Sequence, residues 1–161
     1  MKPAPIHDIK KELSRHDEDR LREFCTRLAK YKKENTELLT YLLFEADDEQ
    51  AYVRNVKDET EQQFGLLVKE KNLYFLKKTI RKILRTVNKQ IRYSGIKETE
   101  IELRVHFCSQ LKSSGIPFAK SPVLLNLYNG QLKKIDSVLT KLPEDLRFDY
   151  QQAIESLSGN Q

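Results

Sequence analysis

Seven basic side chains, Lys77, Lys78, Arg81, Lys82, Arg85, Lys89 and Arg92, recur at spacings of one, three and four residues in one stretch of the chain. At 100° per residue they fall within an arc of about 140° on a helix. Leu73, Leu76, Ile80, Ile83, Leu84, Val87 and Ile91 share a neighbouring arc of about 100°, and Thr79, Thr86 and Gln90 fill the third flank. Such a helix has an apolar stripe to bury and a cationic stripe to present. The chemistry on offer is recognition of anions, with phosphates of a nucleic-acid backbone the obvious class. Tyr74 lies within the basic arc, and Phe75 and Tyr93 lie just past its edge, so Tyr74 or Tyr93 could stack on an exposed base. Phosphate contacts position a protein without reading bases, so little sequence specificity is expected. The stripe is too long and uniform for the groove-reading helix of a helix-turn-helix.

Residues 69–92 hold nine Lys or Arg against the single acid Glu70, a charge of +8 in a chain whose net is +5. The competing reading is an ordinary solvated face, or one neutralised from within. Between Glu45 and Glu61 stand seven acidic residues against Arg54 and Lys57, a net of −5. Folded back antiparallel, that segment would pair with the stripe and flatten its outward field, although each exposed pair contributes only about 0–1 kcal/mol. Docking of an acidic protein is a third possibility. An anionic membrane surface is a poorer match, because the apolar stripe is needed for the core and cannot insert.

Catalytic and metal-binding patterns are sparse. Gly65, Gly95, Gly115, Gly130 and Gly159 are too scattered for a phosphate-cradling loop. His7, His16 and His106 lie far apart, in no ligand-type spacing. His106 and Cys108 sit about 200° apart on a helix, so one ion cannot easily take both. Cys108 aligns with Ile101, Val105 and Leu111 as a core residue, which leaves His106 at the surface or boundary. Glu98 and Glu102 are an i, i+4 pair that could hold a cation but reads more simply as a solvated acidic edge. No cofactor and no metal are expected, and nothing asks for an enzyme.

The elements that must carry these residues are all helical. Ser14 with Asp17 resembles a capping box and opens a helix with Leu21, Phe24, Cys25 and Leu28 at helical spacing; Ile6 to Leu13 is a short helix expected to pack on it. The run Leu38, Leu39, Tyr41, Leu42, Leu43, Phe44, Ala46 is apolar over most of its circumference, which predicts a central buried helix. An acidic helix spans about Asp48 to Glu70, with Gly65 able to bend or break it. The basic helix ends at Ser94-Gly95-Ile96 and the next at Ser114-Gly115-Ile116. In each, glycine supplies a left-handed terminating residue and the Ile can pack back on the last turn, giving an αα-hairpin. Ser121-Pro122 is an N-cap and N1 pair before Leu124, Tyr128, Leu132, Ile135, Val138, Leu139 and Leu142. A last helix after Pro143 carries Leu146, Tyr150, Ala153, Ile154 and Leu157, and the tail from Ser158 to Gln161 should fray.

The expectation is therefore an all-α fold of seven or eight antiparallel-packed helices, a compact bundle or an irregular αα-superhelix, in one domain over residues 1–161. Cys25 and Cys108, each on an apolar face, suit reduced core thiols in the cytoplasm. The N-terminus lacks a signal-type apolar region. The longest strongly apolar run, Tyr41 to Phe44, is far too short to span a bilayer. The function expected is that of a non-enzymatic adaptor or scaffold-type domain for an unidentified protein partner. The alternative is nucleic-acid binding along residues 69–92.

Overall fold

Eight α-helices run through the described residues, 1–158 of the computed structural model, and no strand occurs among them. They are α1 (Ile6–Leu13), α2 (Glu18–Tyr31), α3 (Lys33–Thr40), α4 (Glu49–Gly65), α5 (Leu73–Ser94), α6 (Lys97–Ser113), α7 (Pro122–Leu139) and α8 (Glu144–Ser158). The chain divides into two compact units, Met1–Phe44 and the residues from Glu45 onward. A π-helical turn, Tyr41–Glu45, and a 3-10 turn, Ala46–Asp48, lie at the division. The fraying expected from Ser158 falls largely outside the described residues; Ser158 itself closes α8.

In the first unit Asp17, not Ser14, caps α2. Its carboxylate accepts the Arg20 backbone N–H at 2.8 Å, while the Ser14 hydroxyl donates to the Lys11 carbonyl and closes α1. The cap therefore falls three residues later than the capping-box pattern suggests, at the residue that frees α1 to finish first. The extended backbone of Lys32 separates α2 from α3. Across that break the Asn35 amide donates to the Leu28 carbonyl and the Thr36 hydroxyl to the Ala29 carbonyl, both at 2.7 Å. These bonds hold α2 and α3 as a hairpin.

The run expected to form the centre of the fold does not do so. Tyr41 is buried, but Leu42, Leu43 and Phe44 are 57, 60 and 76 % exposed. Cys25 is also exposed rather than buried. The apolar face of α1 stays largely uncovered, with Ile6 79 % exposed. The physical reason is size: three short helices in 44 residues cannot surround a fourth apolar segment.

The second unit has the larger core, and its centre is α6, which packs against α4, α5, α7 and α8. Ile101, Leu103, Phe107, Cys108 and Leu111 of α6 are all but completely buried. A helix covered on several sides need not be strongly amphipathic, so its sequence gives little sign of its central place. Helix α5 behaves as its stripe predicts: Leu76, Ile80, Ile83, Leu84, Val87 and Ile91 are buried, and only Leu73 at the first turn is exposed. Helix α4 stops at Gly65 rather than Glu70. Gly95 and Gly115 adopt φ of +68° and +73°, the left-handed conformation that ends α5 and α6. Of the two following isoleucines Ile116 is buried, whereas Ile96 remains partly exposed. The Ser121 hydroxyl faces the Leu124 N–H at 3.5 Å and Pro122 opens α7. In α8 only Leu157 is buried, so its apolar stripe is narrower than the spacing suggests.

Candidate functional site

Burial of its apolar stripe fixes the roll of α5 and thereby aims the basic residues outward. Lys78, Arg81, Lys82, Arg85 and Arg92 are exposed, and Lys77 and Lys89 are half-buried. Lys77 and Arg92 are separated by about 22 Å of helix. Helix α4 does pack beside α5; of its carboxylates Glu59 shares a groove wall with Lys82, while Glu49 and Glu61 are engaged elsewhere. Glu49 accepts hydrogen bonds from the Ser94 and Thr99 hydroxyls. Glu61 stands 3.6 Å from the His106 ring and accepts from the Gln110 amide. The cross-helix pair that α4 forms with α6, Lys57 to Glu102 at 2.8 Å, uses a lysine of α4 itself. Among the described residues the side chains of Lys77, Lys78, Arg81, Lys82, Arg85 and Arg92 have no ion pair or hydrogen bond; Lys89 is engaged within the fold. Ion pairing within the fold therefore does not neutralise the stripe at those six positions, which leaves an ordinary solvated face beside an anion-binding surface.

The aromatic neighbours divide. Tyr74 is 70 % exposed and meets Phe75 edge to face, their ring centres 5.8 Å apart. Tyr93 is half-buried and has partners within the fold, so of the two tyrosines Tyr74 is the exposed one.

Where α5 turns into α6 the stripe borders a depression of about 550 Å³, walled by Arg85, Asn88 and Arg92 of α5, Glu100 and Arg104 of α6, and Lys134 of α7. Arg104 is buried at 6 % exposure. Its Nε and Nη2 donate to one Glu100 oxygen at 2.8 and 2.7 Å. Its Nη1 donates to Asn88 Oδ1 at 2.9 Å and Gln131 Oε1 at 2.7 Å. One guanidinium thus ties α5, α6 and α7 together, with its charge matched by a carboxylate and most of its donors satisfied. Arg104, Asn88, Gln131 and Lys134 are not evident as site residues from sequence alone. The Glu100-to-Arg104 spacing of four was a usable signal; Asn88 and Gln131 meet only through the tertiary fold.

Cys108 is fully buried, and burial pushes its thiol up to about 12. His106 sits at the boundary; burial lowers its pKa, opposed by the Glu61 carboxylate and reinforced by the Lys57 ammonium. Its Nε2 has no hydrogen-bond partner. Glu102 pairs with Lys57 at 2.8 Å, and both line one depression with Glu98. No cluster of three or more metal-ligating side chains occurs among the described residues. No helix among them is long and apolar enough to cross a membrane.

A second exposed surface lies in the first unit. A depression of about 270 Å³ is lined by Cys25, Leu28, Ala29, Leu38, Leu39 and Leu42 of the α2–α3 hairpin and the turn after it. Asn35 is the only polar side chain in its wall. No family model, curated protein or solved structure matches the chain.

Proposed function

We propose that this chain is a non-enzymatic helical interaction module that binds a partner protein through the apolar surface of its first 44 residues. One observation carries the reading: α1, α2 and α3 bury none of their side chains, while Ile6, Leu28, Leu42, Leu43 and Phe44 are each more than half exposed. Single exposed apolar residues are ordinary on a protein surface, but five of them within one 44-residue unit, with Leu28 and Leu42 lining one depression, support an interaction surface. Burying one such side chain contributes about 1.5–3 kcal/mol, so a partner covering three or four gains enough to bind specifically after the cost of association. The test is recovery of a partner by the full chain from a lysate treated with nuclease and washed at moderate salt. A partner that is lost on Leu28→Glu with Leu42→Glu supports the reading; a partner indifferent to that change contradicts it.

A second reading, nucleic-acid binding along α5, has its own support in the six basic side chains without internal partners. If about five phosphates are contacted on duplex DNA, log K falls with log salt at a slope of about −4 to −5. Fluorescence polarisation of labelled oligonucleotides measures that slope, and a slope near zero contradicts the reading.

A further inference from the structure

We infer that the depression at the α5–α6 turn is a seat for a phosphate group. Four cations wall it, Arg85, Arg92, Arg104 and Lys134, against the single carboxylate Glu100. Glu100 is committed to Arg104, since one of its oxygens accepts from both Nε and Nη2. Arg85, Arg92 and Lys134 are left exposed and without an ion partner among the described residues. Three uncompensated cations around one concave site form a local field that a convex run of lysines does not, and arginine forks match phosphate oxygens two at a time.

The walls are also held in place before any ligand arrives. The buried Arg104 network links Asn88 on α5, Glu100 on α6 and Gln131 on α7, the three helices that supply the cations and the floor. Gln131 lies one turn before Lys134, so the bond that anchors Gln131 also sets the stretch of α7 carrying that lysine. A prearranged site loses less entropy on binding. The volume, about 550 Å³, falls within the range of ordinary small-ligand sites.

The consequence is a division of the stripe. Arg85 and Arg92 belong to the seat together with Lys134, which is not on the basic helix at all. Lys77 and Lys78 lie about 10 Å or more along α5 from Arg85 and do not border it. The phosphate is that of a small polyphosphate ligand or of a nucleic-acid backbone; only the latter source rests on the second reading above.

The experiment titrates the full chain with inorganic tripolyphosphate by calorimetry and with a labelled oligothymidylate by polarisation. It compares wild type with Arg85→Gln, Arg92→Gln, Lys134→Gln, their triple combination, and a Lys77→Gln/Lys78→Gln control. All five positions are at least partly exposed, and circular dichroism verifies folding. For tripolyphosphate, each single change in the seat should weaken binding about threefold and the triple about thirtyfold, with the Lys77→Gln/Lys78→Gln change within about twofold. Tripolyphosphate binding with that pattern supports the seat. If the oligonucleotide shows no binding beside it, the nucleic-acid reading fails while the seat stands. Oligonucleotide binding that survives the triple change but is lost in the control overturns the seat and leaves the nucleic-acid reading intact. No binding of either ligand overturns both.

Discussion

Removing the Glu100 carboxylate should be among the most damaging single changes available in the second unit outside its apolar core. Glu100→Ala leaves the Arg104 guanidinium, 6 % exposed, with only the neutral oxygens of Asn88 and Gln131. Breaking a buried ion pair from one side costs about 3–5 kcal/mol. Glu100 itself is 25 % exposed, so water can reach the vacated space and the low end, about 3 kcal/mol, applies. With a urea m-value of about 2 kcal/mol/M, that cost moves the unfolding midpoint down by about 1.5 M at constant m. Glu100→Gln keeps an acceptor and the shape, and should fall between wild type and alanine. Adding Arg104→Met to Glu100→Ala removes the stranded charge, so the double variant should recover at least about 1 kcal/mol relative to the sum of the singles. Urea unfolding followed by far-ultraviolet circular dichroism reads wild type and the four variants, Arg104→Met alone included. A loss below about 1 kcal/mol for Glu100→Ala, or additive singles, would refute the claim that this network clamps α5, α6 and α7.

Three further outcomes follow from the same structure. Cys25, exposed, should react with a thiol reagent in the native protein, whereas Cys108, fully buried and shifted up to about 12, should react only after unfolding; two equivalents titrated natively would contradict this. His106 has a lowered pKa, so the unfolded chain takes up the proton first, near its ordinary value of 6.5. Stability is then full above that pH and declines as pH falls below it, levelling once the folded state also protonates. Urea midpoints against pH should show a decline that is flattened in His106→Gln. Gly95→Ala places a side chain at φ +68° with open space around it, so the cost is conformational alone, about 1–2 kcal/mol. A melting temperature unchanged from wild type would show that the α5–α6 turn adopts another backbone.

Legibility in the sequence followed amphipathicity. Helix α5 could be read almost residue by residue, because its apolar and basic arcs are distinct and its C-terminal end carries unambiguous punctuation at Gly95, although its Asn72 cap was not read. The same held for the Ser121-Pro122 start of α7. Reading failed where hydrophobicity was high but the number of neighbours was not. Leu42, Leu43 and Phe44 look like core in any window of sequence, yet their burial depends on elements that a 44-residue unit does not supply. It failed again at α6, whose central place is masked by Glu98, Glu100, Glu102 and Arg104 along the same helix. Of the candidate site, the basic residues were visible as spacing. Their lack of internal partners was not, because it depends on the roll of α4, and neither was the contribution of Lys134 from a helix distant in the chain.

The central claim, that the exposed apolar surface of the first unit binds a protein, is tested most directly by photocrosslinking. A benzophenone amino acid replaces Phe44, 76 % exposed, or Glu18, on the charged side of α2 where it pairs with Arg22, in the otherwise unchanged 161-residue chain. Irradiated in nuclease-treated lysate, the Phe44 position should give a discrete protein adduct that the Glu18 position lacks. Absence of any adduct at position 44, or the same adducts from both positions, would contradict the account.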